Sequence, residues 1–173
     1  MCLSKEVELS EVIDILKEKL DGGGSVTFTP HGTSMEPMLR DGKDIVVLEK
    51  PKSRLQLFDV ALYQRDSGVY VLHRVVDYEP DGSYIMCGDN QIRRERGVRG
   101  DAIIAVMTSF HRKGKVYQPN SLRYRFYINF WHFTRLPRHA YRGVKSRVMK
   151  LFGITPKSKD SKKKKKDSNS DEA

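Results

Sequence analysis

The chain has 173 residues, 38% of them hydrophobic and 31% charged, and a formal net charge of +10; this suits one domain of ordinary size with some length left over. The charge is uneven: residues 1–110 hold 14 Lys and Arg against 18 Asp and Glu, a net of −4, whereas residues 111–173 hold 18 against 4, a net of +14. Two cysteines without metal-type spacing, Cys2 and Cys87, argue against a disulfide framework, and no stretch approaches the ~18 apolar residues of a spanning helix. The N-terminus carries acids throughout, unlike a signal peptide. The expectation is a cytoplasmic protein whose basic third meets a polyanion, either an anionic membrane surface or, as the lesser alternative, nucleic acid.

Leu9, Val12, Ile13, Leu16 and Leu20 recur at helical spacing until "DGGG" at 21–24, which predicts an amphipathic helix over about 7–20 within an N-terminal segment 1–24. From 25 to 118 the texture changes to short runs rich in Val, Ile, Tyr and Phe: 25–29, 44–49, 58–64, 69–76, 83–88 and 101–111. Turn signals such as "RDGKD", "RDSG", "EPDG" and "RKGK" separate them. This body is predicted to be mainly β, a small barrel or a folded sheet. Residues 119–153 return to helical spacing. Leu122, Phe126, Phe130, Phe133 and Leu136 form one stripe, Pro137 interrupts it, and Tyr141, Val144, Val148 and Phe152 form a second. Eight Lys or Arg and no acid lie within 121–153. From 154 to 173 the chain is Lys-rich and of low complexity, and is predicted to be disordered.

Residues 31–40 read "HGTSMEPMLR". Gly, Ser and Pro are the ordinary vocabulary of turns, so Ser34 qualifies as a nucleophile only if a base exists elsewhere. Of the five histidines, at 31, 73, 111, 132 and 139, only His73 sits inside a predicted strand, "VYVLHRVV". Alternation places it with Val69, Val71 and Val75 on an apolar face. A lone His in such a place is commonly a satisfied core residue.

The series "GTSMEPML", "LHRVV" and "CGDN" resembles the S24/S26 serine endopeptidases, the group of type I signal peptidases and LexA-type self-cleaving repressors. The resemblance covers about Thr29 to Val106. It implies a signal-peptidase/LexA-like β fold flanked here by the N-terminal helix and the C-terminal basic amphipathic helices. It implies that Ser34 is the nucleophile and His73 the general base, as in the endoplasmic-reticulum and archaeal type. Asp89 of the "GDN" box would orient the imidazole, with Asp101 as the alternative. The Ser34 backbone N–H would supply one oxyanion donor; the position two residues earlier is Gly32, which leaves the Thr33 hydroxyl as a candidate second donor. Met35 and Pro37 read as structural, an apolar anchor and a fixed exit from the turn. No cofactor is called for. A metal site built from His73, Cys87 and Asp89 is not demanded by their spacing.

The chain departs from the family in lacking an N-terminal spanning helix. Self-cleavage is also disfavoured, because no Ala precedes Ala61 and a DNA-binding domain does not fit into about 30 residues. Cleavage of a leader or signal peptide in trans is the expectation. The alternative is a non-catalytic module that keeps the fold and binds peptide or tethers to membrane or RNA. Either the 121–136 stripe packs against the β body, or it forms an interfacial helix with Arg123, Arg125, Trp131 and Arg135 as membrane or polyanion contacts. Lys162, Lys163 and Lys164 of the tail would add to the same attraction.

Overall fold

The computed structural model describes residues 9–119, 121–134 and 137. The chain divides into two units, residues 1–133 and 134–173, and every helix and strand named below lies in the first. The expected second stripe (141–152), Arg135 and the Lys-rich tail lie outside the described residues.

Helix α1 (Leu9–Asp21) buries Ile13, Leu16 and Leu20. It ends where the sequence turns to glycine: Gly22 N–H donates to the Glu18 carbonyl, Gly24 N–H to that of Lys19, and Gly23 adopts φ 77°. A left-handed residue of this kind closes the last turn at no steric cost only when it is Gly.

Eight strands follow: β1 (Val26–Phe28), β2 (Ile45–Glu49), β3 (Val60–Gln64), β4 (Tyr70–Tyr78), β5 (Tyr84–Cys87), β6 (Glu95–Val98), β7 (Ile103–Arg112) and β8 (Lys115–Tyr117). They make one antiparallel sheet in the order β1-β2-β7-β3-β4-β5-β6, with β8 paired to β7. The mainly β body is therefore as expected, and the six predicted runs all contain strands. Strands β6 and β8 escaped the reading because "ERGV" and "KVY" are short and polar. The β7–β8 hairpin turns on Lys113 and Gly114, both at positive φ, the backbone form that suits a two-residue hairpin loop.

Strand β3 is buried on both faces. Val60 and Leu62 join the larger core with α1, Met35, Met38, Leu39 and Phe110. Ala61 and Tyr63, on the opposite face, join a smaller core with Val75, Tyr84 and Met86. Helix α2 (Leu122–Phe133) is capped by Ser121, whose Oγ accepts the Tyr124 N–H, and it closes the larger core with Tyr124 and Ile128. Among the described residues, no helix is long and apolar enough to cross a membrane.

Candidate active site

Ser34 lies in the turn-rich connection between β1 and β2, and the surrounding chain fixes that turn from three sides. Gly32 adopts φ 99°, and its N–H donates to Asp41 Oδ1; an L side chain there would be strained, which explains why no hydroxyl-bearing residue stands at this position. Asn90 donates its backbone N–H to the Ser34 carbonyl (2.8 Å) and its side-chain amide to the Thr33 carbonyl (3.1 Å). Gly88 packs so closely that a Cβ would stand 2.6 Å from the Ser34 carbonyl oxygen. Asp44, fully buried, accepts from the Arg40 backbone and guanidinium and lies 3.5 Å from Arg112. Burial pushes the Asp44 carboxyl up, but the Arg40 hydrogen bonds and the nearby Arg112 charge outweigh it and hold it below the usual range. The Glu36–Pro37 peptide bond is cis.

Ser34 and His73 line one cleft of about 250 Å3, together with His31, Arg65, Tyr70 and Gln91. No hydrogen bond joins the Ser34 hydroxyl to the imidazole among the described residues. The bond between a nucleophile and its base is commonly long before substrate binds. Thr33 is exposed and is not among the residues that line the cleft. Gln91, not singled out from the sequence, also lines the cleft. The Ser34 N–H has no hydrogen-bond acceptor among the described residues, as an oxyanion donor requires.

His73 is 1% exposed. It sits opposite Ala61 on β3, with Tyr63 two residues along the same face, and Val71 and Val75 flank it in the smaller core. Its Nδ1 lies 3.3 Å from Glu95 Oε1 and 3.2 Å from the Tyr63 hydroxyl. That hydroxyl spends its own proton on Glu95 Oε2 (2.7 Å), and Arg65 grips the same carboxylate with Nε and a terminal nitrogen. Both neighbours of Nδ1 are therefore acceptors, so Nδ1 carries the proton and Nε2 keeps its lone pair. Burial lowers the His73 pKa, and the Glu95 charge offsets this only in part. Burial raises that of Glu95, but the Arg65 and Tyr63 hydrogen bonds and the His73 charge bring it below the ordinary carboxylate value. The pair stands near neutrality as imidazole and carboxylate.

Asp89 does not reach this imidazole. Arg74 is paired with Cys87 across β4 and β5. Asp89, two residues beyond Cys87, falls on the Arg74 side of the sheet, opposite to His73. It forms a two-pronged ion pair with Arg74, Nε to Oδ1 at 2.7 Å and a terminal nitrogen to Oδ2 at 2.8 Å. The remaining Arg74 donors go to the Phe58 carbonyl, the Tyr124 hydroxyl and Met38 Sδ. Asp101 is exposed in a short 3-10 turn and pairs with Arg99 at 2.7 Å. The carboxylate at His73 is thus Glu95. Met86 pairs with Val75 on one side and with Glu95 on the other, so the parity that excludes Asp89 brings Glu95 to the imidazole face.

Trp131, grouped from the sequence with outward polyanion contacts, is turned toward the body. Its indole N–H donates to the Asp89 carbonyl (3.0 Å), and its ring stacks on Tyr127. Arg125 is exposed; the Arg123 side chain lies outside what the structure describes. Among the described residues no group of His, Cys, Asp or Glu is arranged to hold a metal ion. Cys87 is buried, with its Sγ toward the Gly88, Gln91 and Arg93 carbonyls. No protein-family model matches the chain, and no curated protein matches it.

Proposed function

We propose that the chain is a serine endopeptidase of signal-peptidase type that cleaves a leader or signal peptide in trans. The observation that carries the reading is the shared cleft of Ser34 and His73, with His73 Nδ1 committed to Glu95 on its far side. In this reading Ser34 Oγ attacks the scissile carbonyl while His73 Nε2 takes its proton. The tetrahedral oxyanion is held by the Ser34 N–H, with the Gln91 amide as the second donor. His73 then returns the proton to the leaving amine, the C–N bond breaks, and an acyl-enzyme remains on Ser34. Water, deprotonated by His73, hydrolyses that ester and restores the hydroxyl. Glu95 holds the tautomer and stabilises the transient imidazolium.

The second reading is a module that keeps this fold and binds an extended peptide without cutting it. The order of "GTSMEPML", "LHRVV" and "CGDN", together with the fixed Nδ1–H tautomer, favours the enzyme. The test is incubation with a mixed peptide library, reading new termini by mass spectrometry. Wild type should cut, and Ser34→Ala and His73→Ala should fall by about six orders of magnitude. Identical spectra from all three proteins, with equal peptide binding, would leave the binding module standing.

A further inference from the structure

A helix that closes a core ordinarily turns one apolar face inward and a polar face to water. Helix α2 turns apolar side chains both ways. Tyr124, Ile128 and Trp131 face the body, the first two within the larger core. On the other side Leu122 is 84%, Phe126 76%, Phe130 57% and Phe133 87% exposed. Spacings of four, four and three residues line these side chains along one face, and exposed Arg125 lies beside them. In the sequence the charge near this helix is of one sign: from His111 to Lys159 there are 13 Lys and Arg and no Asp or Glu.

Aromatic and aliphatic side chains on one helix face, in a stretch of sequence with many cations and no acids, match the chemistry of a lipid interface. A second copy of the chain would bring identical cations against one another. A nucleic acid would satisfy the cations but leave Leu122 and the outer Phe side chains without an apolar partner. We propose that the outward face of α2 is a docking surface for an anionic lipid bilayer. Leu122, Phe126, Phe130 and Phe133 enter the acyl boundary, and the Lys and Arg near them in sequence meet the headgroups. The same helix is tied to the candidate site, by Trp131 to the Asp89 carbonyl and by the Tyr124 hydroxyl to Arg74. Docking therefore holds the Ser34 turn close to the lipid surface, where a membrane-inserted leader would be met. This goes beyond the proteolytic reading and does not depend on it.

The experiment uses the full chain carrying Ser34→Ala, so that its outcome is separate from proteolysis. The protein is floated with phosphatidylcholine vesicles with and without phosphatidylglycerol, beside a single-stranded oligonucleotide control. Expected is binding to the phosphatidylglycerol vesicles and little to phosphatidylcholine alone. Phe126→Asp with Phe133→Asp should weaken that binding roughly tenfold or more, at unchanged circular dichroism. If the Asp pair disturbs folding, Phe126→Ser with Phe133→Ser carries the same expectation. Unaltered vesicle binding by the folded variant would overturn the proposal, as would no binding to either vesicle. A dimer abolished by the substitutions in a protein that ignores vesicles would overturn it in favour of a second copy. Preference for the oligonucleotide, lost with the same substitutions, would overturn it in favour of nucleic acid.

Discussion

His73 and Arg74 are neighbours on one strand, and each is held by a carboxylate, yet they serve opposite ends. Arg74 faces the larger core, where Asp89, the Phe58 carbonyl, the Tyr124 hydroxyl and Met38 surround it. That network is closed: it joins β4, the 88–90 loop, the Ser34 segment and α2, and presents nothing to solvent. His73 faces the other way. Glu95, Tyr63 and Arg65 engage only its Nδ1 side, and the imidazole lines a cleft. A buried charge that is fully satisfied is architecture, whereas a buried base satisfied on one side is available for chemistry.

Breaking the closed network should have the largest effect. Arg74→Met leaves the Asp89 carboxylate buried and unpaired, and should destabilise by about 3–5 kcal/mol, seen as a lowered midpoint in urea. Adding Asp89→Leu should recover much of that loss, because the charge penalty disappears with its second partner. Were Asp89 instead the orienting residue, the double variant would fold and show a deep loss in kcat at unchanged Nδ1 contacts.

Glu95→Gln opens the comparison from the other side. It should lower kcat roughly a hundredfold while leaving the protein folded. It should also shift the acid limb of the pH–rate profile downward, since the Glu95 charge is the largest of the influences that raise the His73 pKa against burial. An unmoved limb would show that the Glu95 charge does not act on the imidazole.

In the wild type the acid limb should fall below the ordinary histidine range, because burial lowers the His73 pKa. The sign for stability agrees. Folded His73 and folded Glu95 both release protons more readily than in the unfolded chain. Their contribution is therefore complete above the unfolded pKa values and is lost as pH falls through the lower, folded ones. A denaturation series from neutral to acid pH should show this loss, diminished in His73→Ala.

The smallest effect is expected at His31, the second histidine of the cleft. It is exposed and lies 3.7 Å from Asp41, a surface arrangement with little energetic weight. His31→Ala should change kcat/KM by no more than about threefold; a loss matching that of His73→Ala would transfer the role of base.

Periodicity made α1, the six principal strands and the apolar setting of His73 legible, since each depends on residues close in the chain. The paired roles of Asp89 and Glu95 were not. "GDN" carries an acid near the right place in sequence, but the β4–β5 register turns Asp89 to the face of Arg74. Glu95 stands in "RRERGV", a stretch that reads as solvated charge, and only pairing with β5 brings it beneath the imidazole. The α2 stripe was read with the correct spacing. Its direction could not be, because Tyr124, Tyr127, Ile128 and Trp131 form an equally apolar stripe on the other side.

By itself the sequence determined a mainly β body, a basic C-terminal third, and a Ser34 turn and a strand-borne His73 as the candidates for chemistry. These follow from residue type, local period and charge, all short-range properties. Tertiary structure decided which carboxylate meets the His73 imidazole and which face of α2 meets the core. Both depend on strand register and on packing between segments distant in sequence, and a one-residue change of parity reverses the outcome.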